Sequence, residues 1–231
     1  MSQRVTASMT PIRTGILGGS FNPAHGGHRR ITLFAMEALN LDEVWWLVSP
    51  GNPLKSSKGM APLPARIKSA EAMARRARIV PSSIETVLKT RFTVETLRKL
   101  KNRYKNREFV WLMGSDNLAQ FHRWKSWREI ARTMPIAVIA RPGYNAQAMS
   151  SPAMAWFRRY RVPVASLRNR GQTRLRSAPA LVFMRFDPDL RSATAIRRAD
   201  SGWASQYQGA EPRDRLTLRR IEGWPQAGET A

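Results

Sequence analysis

Residues 15–31 read GILGGSFNPAHGGHRRI, and the fold turns on this stretch. TGILGG, residues 14–19, is a short apolar run stopped by Gly18 and Gly19, which is how a buried strand ends where the backbone turns or meets a ligand. Pro23 stiffens the loop that follows. HRRITLFAMEALN then carries apolar residues at Ile31, Phe34, Ala35, Ala38 and Leu39, the spacing of a helix that starts near Gly26 or Gly27. The head of such a helix presents unpaired backbone N–H groups and the positive end of its dipole, so an anion is favoured there. The chain has three histidines, and two of them, His25 and His28, fall at this point. Three residues apart in a helical turn, they share a face. Each imidazole has an N–H to give to a phosphate oxygen. Zinc would need further ligands, and the remaining histidine, His122, is far away in sequence. The plain structural alternative is a capped helix with two incidental histidines.

Working outward, the pattern repeats. EVWWLVSP (43–50) is a continuous apolar run ended by Pro50, and a Pro/Gly/Ser-rich loop leads from it to a helix in ARIKSAEAMARRA ending near Arg78. A helix starts around Thr93 in TRFTVETLRKLKNRY. A strand in REFVWLMGSDN ends in a glycine-containing turn. WREIART is a short helix, PIAVIARPGY and ALVFMRF contain further strands, and SATAIRRAD opens the last helix. Strands alternating with helices predict an α/β fold: a doubly wound, mostly parallel sheet with helices on both faces. Its ligand belongs beyond the carboxyl ends of the strands, where the topology switches. Residues 1–13 read as a basic tail, 14–200 as the folded domain with a basic insert at 145–179, and 201–231 as a polar, basic tail.

Composition narrows the class. The chain has 231 residues with 42% hydrophobic, enough for a core, and no cysteine for disulfides or thiolate metal sites. No apolar run approaches the roughly 20 residues that span a bilayer, and the N-terminus lacks a secretory core, so no membrane partner and a cytoplasmic location are expected. Lys and Arg number 39 against 16 Asp and Glu, a formal net charge of +23. That excess favours polyanions. Only eight of the 39 are Lys, a skew that fits coding bias and a generic basic surface, so no specific nucleic-acid partner is expected.

GGSFNPAHGGH resembles the signature of the H-x-G-H nucleotidyltransferase superfamily, matched here by His25, Gly27 and His28. NPLK, RFTVETL, GSDNLAQFHRW, ARPGY and SATAIR resemble, in the same order, segments of the bacterial nicotinate-nucleotide adenylyltransferase family. The resemblance spans about Gly15 to Ala199 and is weakest over residues 145–179. It implies a single Rossmann-like domain that transfers the adenylyl group of ATP to nicotinate mononucleotide, giving nicotinate adenine dinucleotide and pyrophosphate in NAD biosynthesis. The nucleophile is a phosphate oxygen already ionised at neutral pH, so the site needs positioning and charge neutralisation rather than a general base.

The resemblance also implies roles for single residues. His25, His28, Lys55 and Arg197 are the catalytic set, with His28 acting on the α-phosphate. Gly18, Gly19, Ser20, Phe21, Asn22, Gly114, Asp116, Ser192, Thr194 and Ile196 join His25, His28 and Arg197 around ATP, Asp116 accepting from its ribose hydroxyls. Asn22, Lys55, Thr93 and Trp124 face nicotinate mononucleotide, with Trp124 stacking on the pyridine and Thr93 near its carboxylate. Mg²⁺ is expected to ride on the ATP phosphates, with no protein metal site. Arg191 and Phe92 depart from the family pattern, which often has Ile and Tyr there. Each residue also has a plainer reading: Lys55 a solvated loop cation, Asp116 a turn former, Trp124 a core residue, and Thr93, Ser192 or Thr194 a helix cap. The runner-up readings are an adenylyltransferase for nicotinamide mononucleotide or phosphopantetheine and, from charge alone, a nucleic-acid-binding protein.

Overall fold

A computed structural model of the chain describes residues 11–51, 59–141, 143–169, 177–186 and 193–209. Among the described residues six strands, β1 (Ile12–Gly19), β2 (Glu43–Val48), β3 (Ile79–Ser82), β4 (Arg107–Gly114), β5 (Ile136–Ile139) and β6 (Leu181–Met184), form one sheet in the order β3-β2-β1-β4-β5-β6. Every neighbouring pair is parallel. This is the doubly wound order whose sense reverses between β1 and β4, so the loops leaving those two strands frame the crevice.

Alternating side chains divide the core in two. Ile16, Trp45, Leu47, Trp111, Met113, Ile136 and Val138 face one way. They are covered by α3 (Ile84–Val87), α4 (Thr93–Arg103), α5 (Ser115–Gln120), α6 (Trp127–Thr133), α7 (Asn145–Met149) and α8 (Pro152–Phe157). Leu17, Val44, Trp46, Val48, Val110, Leu112 and Ala137 face the other way. Against them pack α1 (Gly26–Leu39), α2 (Leu63–Ala74) and α9 (Ala165–Arg168). A further helix, α10, is Ala193–Ala199. With both faces covered, the strands read as continuous apolar runs, which is why β2, β4 and β5 were visible in the sequence.

Helix α1 begins where expected and stops at Asn40, which takes a left-handed φ of 52° and donates its N–H to the carbonyls of Met36 and Glu37. Thr32 ties α1 to the sheet: its Oγ1 donates to the His28 carbonyl at 2.7 Å and accepts the Trp46 indole N–H at 2.8 Å.

The structure differs from the sequence reading in several places. Gly18 and Gly19 end β1 as expected, but the sharp turn lies beyond them. The tight backbone is at Phe21, with φ 46°. β1 starts at Ile12, two residues before the expected start of the domain. Buried Arg13 donates from its guanidinium to the carbonyls of Leu167, Arg168 and Asn169. β3 was not anticipated, because it is four residues long and contains Pro81, which a sheet tolerates at its edge. The turn expected after Met113 is instead the start of α5. The described part of the expected insert supplies core residues Ala148, Ala153, Met154, Phe157 and Leu167. Beyond Ser201 the chain is still structured, with Trp203 buried.

Candidate active site

The head of α1 sits beyond the end of β1, at the switch point. His25 is the N-cap, in extended backbone, and its Nδ1 accepts the Gly27 N–H at 3.1 Å. His28 is the third helical residue, and its Nδ1 accepts the His25 backbone N–H at 3.2 Å. This is a reciprocal capping box built from two imidazoles instead of the usual Ser and Glu. The ring centroids lie 4.0 Å apart. In each neutral ring an accepting Nδ1 leaves the proton on Nε2, so both histidines can offer an N–H to a ligand. His28 also packs on Phe21, at 4.9 Å between ring centroids, and Phe21 stacks on Trp46 at 5.0 Å. Burial, the neighbouring His25 and the charge of Arg141 push the His28 pKa down to about 3. His28 is therefore a neutral donor, not an imidazolium.

The loop after β1 is held from three sides. Buried Asn22 donates through Nδ2 to the Gly59 carbonyl at 3.0 Å and accepts the Ala61 N–H through Oδ1 at 3.1 Å. Arg197 on α10 donates to the Asn22 carbonyl at 2.6 Å and to Thr194 Oγ1 at 3.3 Å. Arg66 on α2, only 1% exposed, donates to the carbonyls of Ser20 at 2.8 Å, Ser49 at 2.6 Å and Ala61 at 2.9 Å. It bolts together the loops leaving β1 and β2. Sequence reading did not single it out, because one buried arginine among many exposed ones carries no local signal.

Beyond β4, Gly114 is the N-cap of α5, and a Cβ there would lie 2.3 Å from Asp116 Oδ1. The glycine is what lets the carboxylate fold back over the strand end. Asp116 Oδ2 pairs with Arg141 at 3.0 Å. Arg141 belongs to the ARPGY segment, to which no role had been attached. Its charge acts on His28 as well, so it connects the histidine pair to Asp116.

Thr93 and Trp124 belong to segments on the α4 side of the sheet. Thr93 is the first residue of α4; Phe92 is the N-cap, with no capping side chain. Trp124 follows the 3-10 turn Phe121–Arg123 and stands edge-to-face on Trp111 at 6.5 Å between ring centroids. Lys125 draws the two segments together: its ammonium pairs with Glu95 at 3.0 Å and lies 4.0 Å from the Phe92 ring centroid. Glu85, also unanticipated, accepts from Thr96 Oγ1 at 3.1 Å, and burial raises its pKa. Gly18 borders this region, since a Cβ there would meet Trp111 Cη2 at 2.7 Å. Ser20 is exposed and Ile196 half-buried. Lys55 and Ser192 lie outside the described residues. Among the described residues, no group of three or more His, Cys, Asp or Glu stands together as a metal cage.

The chain matches the family model described as cytidylyltransferase-like over residues 16–199. A relative from Erythrobacter litoralis, named "Probable nicotinate-nucleotide adenylyltransferase", is 66% identical over 212 residues, covering 92% of this chain and 95% of the relative. One of the same name from Parvibaculum lavamentivorans is 48% identical over 197 residues, covering 85% and 96%. The fold is similar to that of the Plasmodium falciparum nicotinic acid mononucleotide adenylyltransferase complexed with NaAD, with a TM-score of 0.59 at 15% identity, over 81% of this chain and 83% of that one. On these matches the chain belongs to the nicotinate-nucleotide adenylyltransferase family.

Proposed function

We propose that this crevice joins ATP to nicotinate mononucleotide, releasing pyrophosphate and forming nicotinate adenine dinucleotide for NAD biosynthesis. The chain is a nucleotidyltransferase, and its relatives carry the corresponding name. The observation that carries the assignment of residues is the two-imidazole capping box, which holds both rings side by side at the head of α1, beyond the end of β1.

A phosphate oxygen of the mononucleotide forms a bond to the α-phosphorus of ATP. The bond from that phosphorus to the β-bridging oxygen breaks, and pyrophosphate leaves with the electron pair. No proton has to be removed from the nucleophile. Catalysis is then a matter of holding two polyanions in line and offsetting the charge that develops. His28 Nε2–H is assigned to the α-phosphate. His25 and Arg197 are assigned to the remaining phosphates, with Lys55, Ser192 and Thr194 in support. Gly18, Gly19, Ser20, Phe21, Asn22, Gly114 and Ile196 shape the ATP side, and Asp116 accepts from its ribose. Thr93 and Trp124 hold the pyridine. Mg²⁺ carried on the ATP phosphates would offset part of their charge. No helix among the described residues is long and apolar enough to cross a membrane, and we assign the reaction to the cytoplasm.

Acid and amide differ by one negative charge on the pyridine substituent. The α4 N-terminus places backbone donors and the positive dipole end beside Thr93, and its hydroxyl can donate too. Strong preference for nicotinate over nicotinamide mononucleotide is expected when pyrophosphate release is assayed with ATP and each in turn. Equal kcat/KM for the two would overturn this pocket, and no release with either would overturn adenylyl transfer. Trp124→Ala is expected to raise KM for both by similar factors, corresponding to about 1–3 kcal/mol of lost stacking.

A further inference from the structure

Trp111 is 4% exposed, in the middle of the sheet, yet its indole Nε1–H has no hydrogen-bond partner among the described residues. Buried indole N–H groups ordinarily find an acceptor, and an orphan destabilises the fold. Trp45 and Trp46 obey the rule: the first donates to Glu43 at 2.7 Å and the second to Thr32 at 2.8 Å. The fold therefore satisfies such donors in β2 and leaves this one in β4 unmatched.

Its surroundings show what could match it. One edge of the Trp111 ring fills the space a side chain at residue 18 would need, so the ring is placed against β1 only because Gly18 is there. Trp124, the residue assigned to the pyridine, meets Trp111 edge-to-face at 78°. Trp124 is half-buried and rests on aromatic edges, against Trp111 and against Phe121 at 5.4 Å. Contacts of that kind give way to a flat ring that stacks on the same indole. An indole N–H is a donor and nothing else, so its missing partner must be an acceptor. A pyridine stacked on Trp124 brings one with it, the ring carboxylate. A charged acceptor in a dry pocket makes the stronger kind of hydrogen bond.

We propose that Trp111 is a substrate-binding residue whose indole N–H donates to the carboxylate of nicotinate mononucleotide when the Trp124 ring turns to stack on the pyridine. This rests on the assignment of Trp124 to the pyridine. Nε1 is shielded in the structure, so the bond forms only with that movement of Trp124.

Trp111→Phe keeps a flat ring and removes only the donor. Its KM for nicotinate mononucleotide is expected to rise about tenfold, the weight of one hydrogen bond to a charged group, while kcat and the KM for ATP stay within about twofold. Its melting temperature is expected not to fall, because the orphan is gone. In the wild-type enzyme, the Trp111 indole N–H resonance, assigned through its own backbone so that no variant needs to fold, is expected to shift on adding nicotinate mononucleotide and to stay in place on adding ATP. An unchanged KM in folded Trp111→Phe, or a resonance that ignores the mononucleotide, overturns the proposal. If Trp124→Ala nonetheless raises KM, the pyridine site stands without Trp111; if Trp124→Ala is silent too, the site itself has been misassigned.

Discussion

At the scale of single residues, the His25–His28 pair joins local structure to chemistry. The backbone N–H of His25 is spent on His28 Nδ1, and that of Gly27 on His25 Nδ1. Capping the helix thus selects the Nε2–H tautomer in both rings. On the role proposed for it, removing the His28 donor is expected to cost catalysis more than binding, because the charge it would answer is largest in the transition state. Turnover of His28→Ala is expected to fall by about 10²–10³, with a smaller change in the KM for ATP. Near-normal turnover in a folded variant would refute the assignment. The same residue makes stability depend on pH. Its folded pKa is lowered, so above the ordinary value of 6.5 the ring is neutral both folded and unfolded, and the full stability is present. As pH falls from 6.5 towards about 3, the unfolded chain takes up a proton that the native ring refuses, and stability is lost. Denaturant unfolding at pH 7 and pH 5 is expected to show a smaller acid loss in His28→Asn than in the wild type. Equal losses would mean that His28 titrates normally in the fold.

At the scale of elements, the apolar runs that become β1, β2, β4 and β5 were legible because a sheet covered on both faces needs them. The head of α1 was legible because Gly26 and His28 follow an extended loop. β3 and α3 were not, since four residues each give no periodicity to read, and Pro81 argues against a strand. The site followed the same division. His25, His28, Asp116, Thr93 and Trp124 are candidates proposed through residue type and resemblance. Arg66, Arg141, Glu85 and Trp111 were missed, because what marks them is burial or a partner distant in the chain. Arg66 shows what such a residue does between elements. Four loop carbonyls, those of Ser20, Ser49, Pro50 and Ala61, share its one buried guanidinium. Burial lowers its pKa, the sign that it is held away from water. Arg66→Met would leave four acceptors without their donor and is expected to destabilise the protein by about 2–4 kcal/mol. The loop carrying Ser20 would loosen with it, raising the KM for ATP. Arg66→Lys is expected to fall between, since an ammonium cannot reproduce the planar fork. A denaturation midpoint unchanged in Arg66→Met would show that the β1 and β2 loops are tied by other contacts.

At the scale of the whole molecule, the charge has to be weighed against the site. With 39 basic and 16 acidic residues, one-to-one pairing would still leave 23 positive side chains unmatched. The acidic groups seen in ion pairs, such as Glu43, Glu95, Glu108, Asp116 and Glu129, are spread over several elements rather than gathered opposite a basic groove. Exposed arginines are spread likewise, over α1 (Arg30), the turn after α2 (Arg75, Arg76), the residue Arg91 before α4, α4 itself (Arg98), the turn after α8 (Arg158, Arg159) and α10 (Arg198). A surface of this kind attracts any polyanion through its phosphates and reads no bases, because base-edge contacts need donors and acceptors aimed into a groove. Binding then comes from counterion release, and log K falls linearly with log salt, by about 0.7 per phosphate neutralised on a single strand and about 0.9 on a duplex. RNA and DNA oligonucleotides of unrelated sequence are expected to bind alike at about 50 mM salt and to be released at about 200 mM, as read by fluorescence anisotropy. The proposed adenylyl-transfer site is expected to respond differently to the same salt, since Asn22 and His25 are buried and His28 is half-buried, where screening is weaker. Pyrophosphate release at saturating substrate is therefore expected to persist at salt concentrations that have already abolished oligonucleotide binding. A preference for one sequence that survives physiological salt would instead mean that part of the positive charge is organised for a nucleic-acid partner.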